Sequence, residues 1–301
     1  MRVPMVYPVV SADDLTQRKR SKWIVRTGWS ASQPNHAFGE YAYRTLKVRR
    51  VATIALDYAF GWESVGGFQR TFEAEGGKVT QKIWAPVSVH DFAPYLAQVS
   101  RDVDAVYALV LGRAALQFMR QYREFGLKDR ILLIGGGTTT DEHVLPFMGD
   151  EAIGDVSALH YSAALDTPKN IEFVKAYRAK FGKVPSYYSE NNYTTAQWLD
   201  EALKKAGGKW PGPEELIKIM VGIKLDAVRG PVSFDDMRNP IQNIYIKKVE
   251  KKKMFGYEKD ELWNTVTKTY PNVSQFWTYG KDKFLAQPVY DKNFPPCKFC
   301  E

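Results

Sequence analysis

The chain has 301 residues and a formal net charge of +8, with 45% hydrophobic and 25% charged residues. That length fits one large domain or two ordinary ones, and that composition is globular and argues against wholesale disorder. Only two cysteines occur, Cys297 and Cys300 at the extreme C-terminus, which excludes a disulfide-built scaffold and any four-cysteine zinc module.

The opening residues, Met1 to Val10, are too short and too proline-broken for a signal peptide and read as a strand entering a loop. From residue 50 onward, strand-like runs alternate with amphipathic helices. Arg50–Leu56 is a buried strand, followed by a turn over Asp57-Tyr58-Ala59-Phe60-Gly61 and a helix carrying Val65, Phe68 and Phe72, which Gly76-Gly77 ends. Val79–Trp84 is the next strand, and Phe92, Tyr95, Leu96 and Val99 mark a second helix. Ala105–Leu111 is apolar throughout, as in a strand covered on both faces. It is also the best apolar run in the chain, far short of the ~18 residues of a membrane span. A third helix bears Ala114, Ala115, Phe118, Met119 and Tyr122. Ile131–Ile134 is a fourth strand, leading into Gly135-Gly136-Gly137. This alternation implies parallel βαβ units in a doubly wound α/β domain.

The pattern then shifts. Ile153–Tyr161 reads as a strand. Two long helices follow, one starting at Pro168 and lined by Ile171, Val174, Tyr177 and Phe181, the other lined by Tyr193, Ala196, Leu199 and Leu203 and ending at Gly207-Gly208. A short helix begins at Pro213. Val228–Phe234 and Ile241–Val249 read as antiparallel β-structure. No internal repeat or low-complexity segment is present. In such sheets ligands sit at the carboxyl ends of the parallel strands, so the loops after Leu56, Leu111 and Ile134 are the ones to watch.

Much chemistry is missing. The four histidines, His36, His90, His143 and His160, lack metal-ligand spacing, so no metal site is expected. Neither a nucleophile elbow nor a phosphate-binding P-loop motif occurs. The glycine triplet has two readings: a tight βα turn, or backbone N–H groups at a helix start facing a carboxylate or polar ligand. The basic runs Arg18–Lys22 and Lys247–Lys253 lack a nucleic-acid motif and read as solvated faces, with no nucleic-acid partner. The single C-x-x-C at Cys297 and Cys300 reads as a frayed tail with two thiols, which an oxidising compartment can close into a small disulfide. Tyr58, Phe60, Tyr187 and Tyr188 fall in loops or before a helix, where they suit either a cleft for an apolar ligand or loop packing.

These residues together resemble the leucine/isoleucine/valine-binding protein family, the periplasmic substrate-binding proteins of ABC importers. The resemblance runs over nearly the whole chain. It is carried by Pro8–Thr16, by Trp23-Ile24-Val25-Arg26-Thr27, by the Asp57-Tyr58-Ala59-Phe60-Gly61 loop, by Phe118–Leu127, by Ser186–Tyr193 with Ala196, and by Val228–Asp235. It implies a type I periplasmic-binding fold: two doubly wound, Rossmann-like α/β lobes joined by three crossovers, near Gly28, near Tyr161 and near Gly230–Phe234. Lobe 1 would be 1–28 plus 161–233, lobe 2 29–160 plus 234–290, and 291–301 a tail. Lobe 1 is then incomplete, lacking about three N-terminal βα units of ~30 residues each, and the chain reads as an N-terminally truncated or mis-started member. Exposed strand edges and apolar helix faces are expected there.

By position, the resemblance implies ligand contacts from the Val9 carbonyl, the Ser11 N–H and hydroxyl, Phe60, Leu111 with Gly112, Gly137 and Tyr188. Amino-acid binders of the family carry an acidic residue where this chain has Gly137, and a buried ammonium without a carboxylate is costly. A ligand without an α-amino group is therefore expected, a small organic acid with an aromatic carboxylate as one candidate, while an amino acid stays open as the other class; Arg113 is either the counter-charge or a surface arginine. The implied job is binding by hinge closure for a membrane ABC permease, in the periplasm, with no cofactor and no catalysis. Two alternatives stay open: a cytoplasmic ligand sensor of the same fold, and a doubly wound enzyme using Asp57, Asp141 or Glu142.

Overall fold

The computed structural model describes residues 3–300; Met1, Arg2 and Glu301, which the expected lobe 1 and tail include, lie outside the described residues. In chain order the elements are β1 (Met5–Tyr7), β2 (Ile24–Arg26), α1 (Ser32–Arg44), β3 (Arg50–Leu56), α2 (Ala59–Ala74), β4 (Lys78–Ala85), α3 (Ala93–Leu96), β5 (Ala105–Leu109), α4 (Gly112–Glu124), β6 (Leu132–Gly136), β7 (Val156–Leu159), α5 (Pro168–Phe181), α6 (Tyr187–Lys205), α7 (Pro213–Val221), β8 (Leu225–Ala227), β9 (Gly230–Phe234), β10 (Pro240–Lys252), β11 (Glu261–Val273) and α8 (Lys281–Leu285).

Alternation along the strands builds the main core. β3, β5 and β6 pair in parallel, so their side chains point to opposite faces in turn. Ala52, Ile54, Val106, Ala108 and Leu133 face Phe92, Phe118, Met119 and Tyr122 of the α3–α4 layer. Val51, Ala55, Tyr107, Leu109 and Ile134 face Phe38, Phe68 and Phe72 of α1 and α2. The sheet order is β4-β3-β5-β6-β7-β10-β9-β8, with β11 also pairing β10. The segments 50–159 and 240–273 therefore share one sheet. β10 ties its parts together: its first residues pair with β9, and after a register shift Tyr245–Lys248 pair antiparallel with β7. β1 and β2 form a separate parallel pair.

Several expectations need correction. The helix after β3 begins at Ala59, so Phe60 and Gly61 lie in the first turn of α2 rather than in a loop. The helix over Phe92–Val99 shrinks to the single turn of α3, and Val99 is buried beyond it. β11 has no counterpart in the sequence reading, because Pro271 and its Thr, Asn and Lys residues mask a strand. In α6 the expected apolar stripe faces outward. Tyr193 is 45% and Leu203 37% exposed, whereas Glu190, Asn191, Thr194, Thr195 and Trp198 are buried. Phe181 of α5 is also exposed, so these two helices present an uncovered apolar side. The basic runs are not simply solvated. Arg18 donates to the carbonyls of Phe284, Leu285 and Gln287, and Lys247 is fully buried mid-strand in β10. The last residues are not frayed: Cys297 and Cys300 form a disulfide, and Cys297 packs against the α1–α2 side of the core.

Candidate functional site

At the carboxyl edge of the parallel sheet, α2 starts directly after β3 and α4 directly after β5. Tyr58 and Leu111 occupy the N-cap positions, and neither makes a side-chain capping bond; Ser186, ahead of α6, makes none either. By contrast, Thr167 caps α5 through Asn170 N–H. Uncapped first turns direct N–H groups and the positive end of the helix dipole outward, a field that favours an anion.

Aromatic side chains gather between the starts of α2 and α6. The Tyr58 and Phe60 rings lie 6.2 Å apart, Phe60 meets Trp29 edge-on at 6.4 Å, and Trp29 meets Tyr187 edge-on at 5.1 Å. Tyr187 stacks on Tyr188 at 4.1 Å, and Tyr188 meets the His143 ring at 6.3 Å. Trp29 and Tyr187 are buried, Tyr58 and Phe60 half-buried, and Tyr188 and His143 exposed, so the row runs from a buried floor to an open rim. Burial raises the Tyr58 hydroxyl to about 12, so it stays a neutral donor. Asp141 Oδ2 lies 3.6 Å from His143 Nδ1 and holds the ring's pKa above the usual value. His143 also lines a cavity of 530 Å³ that opens between Phe147, the end of α5 and the β10–β11 hairpin.

Behind this row lies a buried polar knot. Arg229 is 1% exposed and donates to Asn191 Oδ1 at 2.6 Å, to Glu190 Oε2 at 3.2 Å and to the Thr27 carbonyl at 2.5 Å. Asn191 Oδ1 also lies 2.8 Å from His160 Nε2, and His160 stacks on Trp29 at 4.8 Å. Burial, and then the charge of Arg229, push the His160 pKa well below the usual value, so the ring is neutral. Because Asn191 Oδ1 can only accept, His160 carries its proton on Nε2. The three segments near Gly28, Tyr161 and Gly230 thus meet around one guanidinium. Gly28 itself has no room for a side chain, since a Cβ would sit 2.1 Å from the Pro8 carbonyl oxygen.

Of the residues the sequence points to, Val9 and Phe60 pack on the Trp29–Tyr187 cluster, and Tyr188 joins it through Tyr187. Ser11 is buried, and its carbonyl accepts from Ala31 N–H and the Arg26 guanidinium. Leu111 packs on the same core cluster as Tyr58, and Gly112 follows it with φ +58°, a conformation that suits glycine. Arg113 is exposed. Gly137 stands differently. No α-helix follows β6; Gly135 and Gly136 are strand residues, and the Gly137 N–H donates to Ala158 O at 3.0 Å. Its carbonyl accepts from buried Lys247 at 3.3 Å, and a Cβ would meet the Leu159 Cβ at 2.6 Å. The reading of the triplet as an anion cradle at a helix start fails: at Gly137 the glycine allows close packing against β7. Nearby, burial raises Glu142 to about 7 against the opposing charge of Lys247. No group of three or more His, Cys, Asp or Glu among the described residues is placed to hold a metal ion. Trp29, His160 and Arg229 escaped the sequence reading; Trp29 follows the Arg26-Thr27-Gly28 crossover, the one signal that marks it.

A family model described as periplasmic binding protein matches residues 2–253. The chain belongs to the periplasmic binding protein family. It is 30% identical over 255 residues to the Leu/Ile/Val-binding protein homolog 6 of Brucella melitensis, covering 83% of this chain and 64% of that protein. It therefore spans less than two thirds of that relative's length. A solute-binding protein of an ABC transporter from Rhodopseudomonas palustris BisB5, in complex with 3,4-dihydroxybenzoic acid, superposes with a TM-score of 0.83 at 36% identity, over 91% of this chain and 73% of that one. A second solute-binding protein from R. palustris, in complex with benzoate, gives 0.80 at 27% identity, over 91% and 72%. The fold is thus the mixed α/β fold of type I periplasmic binding proteins, and the family is one of transport proteins that bind substrates.

Proposed function

We propose that this protein is the substrate-binding component of an ABC importer and takes an aromatic carboxylate between two lobes, handing it unaltered to a membrane permease in the periplasm. The observation that carries this reading is the row Tyr58–Phe60–Trp29–Tyr187–Tyr188 set beside the uncapped starts of α2, α4 and α6. The rings suit a flat apolar ring, and the helix starts suit its carboxylate. Val9, Ser11, Phe60, Leu111, Gly112 and Tyr188 are the contacts assigned, with Gly137 placed behind the wall rather than on the ligand. Solved relatives at 36% and 27% identity, in complex with 3,4-dihydroxybenzoic acid and with benzoate, support the aromatic class. The segments tied by Arg229 serve as the hinge, dividing 1–28 and 161–233 from 29–160 and 234–290. Isothermal calorimetry with benzoate, 4-hydroxybenzoate, 3,4-dihydroxybenzoate and leucine tests the substrate class. At least one benzoate binds 1:1 and leucine gives no heat; tight leucine binding with silent benzoates overturns the reading.

A further inference from the structure

Beyond α8 the chain crosses the outer face of α2. Tyr290 lies against Gly66, where a Cβ would meet its ring at 2.6 Å, and its hydroxyl pairs with His36 Nε2 at 3.0 Å. Lys292 bonds Asp57 at 2.8 Å, Gln69 donates to the Pro296 carbonyl at 3.0 Å, and Lys82 donates to the Pro295 carbonyl. This path delivers Cys297 to β4, which lies at the end of the nine-stranded sheet and, among the described residues, pairs only with β3. Cys297 Sγ sits 3.4 Å from the Val79 carbonyl oxygen. A disulfide sulfur carries no proton, so this is a packing contact and not a hydrogen bond. Cys297 is half-buried, whereas Cys300 and its neighbour Phe299 are exposed. An unpaired strand edge is a site for unwanted pairing, and a covering segment protects it.

We propose that the Cys297–Cys300 disulfide is a thiol–disulfide exchange site, opened by a dithiol, whose reduction releases the last residues of the tail from the edge of β4. The asymmetry of exposure fixes the direction of attack. A donor thiolate attacks the accessible Cys300 Sγ, the S–S bond breaks, and Cys297 Sγ leaves as a thiolate. The donor's second thiol then attacks the mixed disulfide and displaces Cys300. The donor ends as a disulfide and the two cysteines as thiols, with two protons passing from donor to chain. The surroundings carry both signs: Lys298 follows Cys297, Lys82 donates to the Pro295 carbonyl and Lys78 lies 5.6 Å from the Phe299 ring, while the Glu73 carboxyl interacts with both Lys82 and Lys298. A neighbouring lysine cation stabilises a departing thiolate. Burial holds Lys82 down to about 8, and a thiolate arriving nearby favours its charged form.

The test uses the full oxidised chain in native buffer, with circular dichroism confirming that it stays folded. Dithiothreitol is expected to make both cysteines reactive to maleimide. Hydrogen exchange of residues 294–300 should rise on the order of tenfold, from the lost loop constraint, with a smaller rise over 78–82. Brief exposure to glutathione should place the adduct on Cys300. Cys300→Ser should show the same raised exchange without reductant. A reduced C-x-x-C oxidoreductase acting faster per thiol than dithiothreitol assigns a protein donor; equal rates assign a small one. Cysteines that stay unlabelled until urea unfolds the chain, exchange that is unchanged in both reduced protein and variant, or an adduct on Cys297 each overturn the proposal.

Discussion

Replacing Arg229 by Met removes the cation on which the three converging segments depend. The guanidinium is 1% exposed and Glu190 fully buried, so water cannot substitute for it. Glu190 Oε2 and the Thr27 carbonyl lose the guanidinium as donor, while Asn191 Oδ1 keeps only His160 Nε2–H. Glu190 keeps only the Thr194 hydroxyl, at 2.5 Å on Oε1, and becomes an unpaired buried charge. Breaking a buried pair from one side costs about 3–5 kcal/mol. The Asn191 and Thr27 bonds lie within that figure, because the same lost desolvation cannot be counted twice. Removing both charges is a smaller insult, since an apolar pair of similar volume needs no partner. Urea unfolding followed by circular dichroism should therefore show Arg229→Met losing about 3–5 kcal/mol and Arg229→Met/Glu190→Leu losing less than the single variant. A single-variant loss below about 1 kcal/mol, or a double variant worse than the single, refutes the picture of a charge-locked junction.

Two further outcomes follow from buried groups and close packing. Burial, with Asp13 beside it, raises Glu63 to about 9, and the Asp13 N–H donates to its Oε2 at 3.1 Å. A carboxyl raised by folding favours the folded state while protonated. Stability should then fall as pH rises from about 5 toward 9, and Glu63→Gln should flatten that slope in urea midpoints taken at pH 5, 7 and 9; an equal slope in the variant contradicts the assignment. Gly28→Ala places a methyl 2.1 Å from the Pro8 carbonyl oxygen, so the backbone must move. A loss of about 2 kcal/mol or more is expected by thermal unfolding, and a variant within 0.5 kcal/mol of the parent removes the close approach from the account.

Short apolar, β-branched runs made β3, β4, β5 and β6 legible, because helices cover both faces of the parallel sheet and nearly every side chain is buried. α5 was legible for a local reason, with Pro168 at its first turn and Gly182 in a left-handed conformation after its end. α6 misled because its buried face is the polar one, where Glu190, Asn191 and Thr195 meet Arg229, Thr27 and His160, and no periodicity rule ranks such a face as core. The site was half legible. Phe60 and Tyr188 stand out as aromatics at element starts, but Trp29 and Arg229 acquire meaning only when distant segments meet. Lys247 shows the same limit: a lysine inside a basic run is read as solvated, and only the pairing of β10 with β7 buries it.

Hydrogen exchange read by mass spectrometry, with and without the benzoate that calorimetry finds tightest, maps the bound surface directly. Closure on an aromatic acid should slow exchange together in four separate stretches, 9–12, 57–62, 110–114 and 186–189, and the ligand should be recovered chemically unchanged. Protection confined to the 530 Å³ cavity beside Phe147, or restricted to one of the four stretches, contradicts a ligand clamped between two lobes.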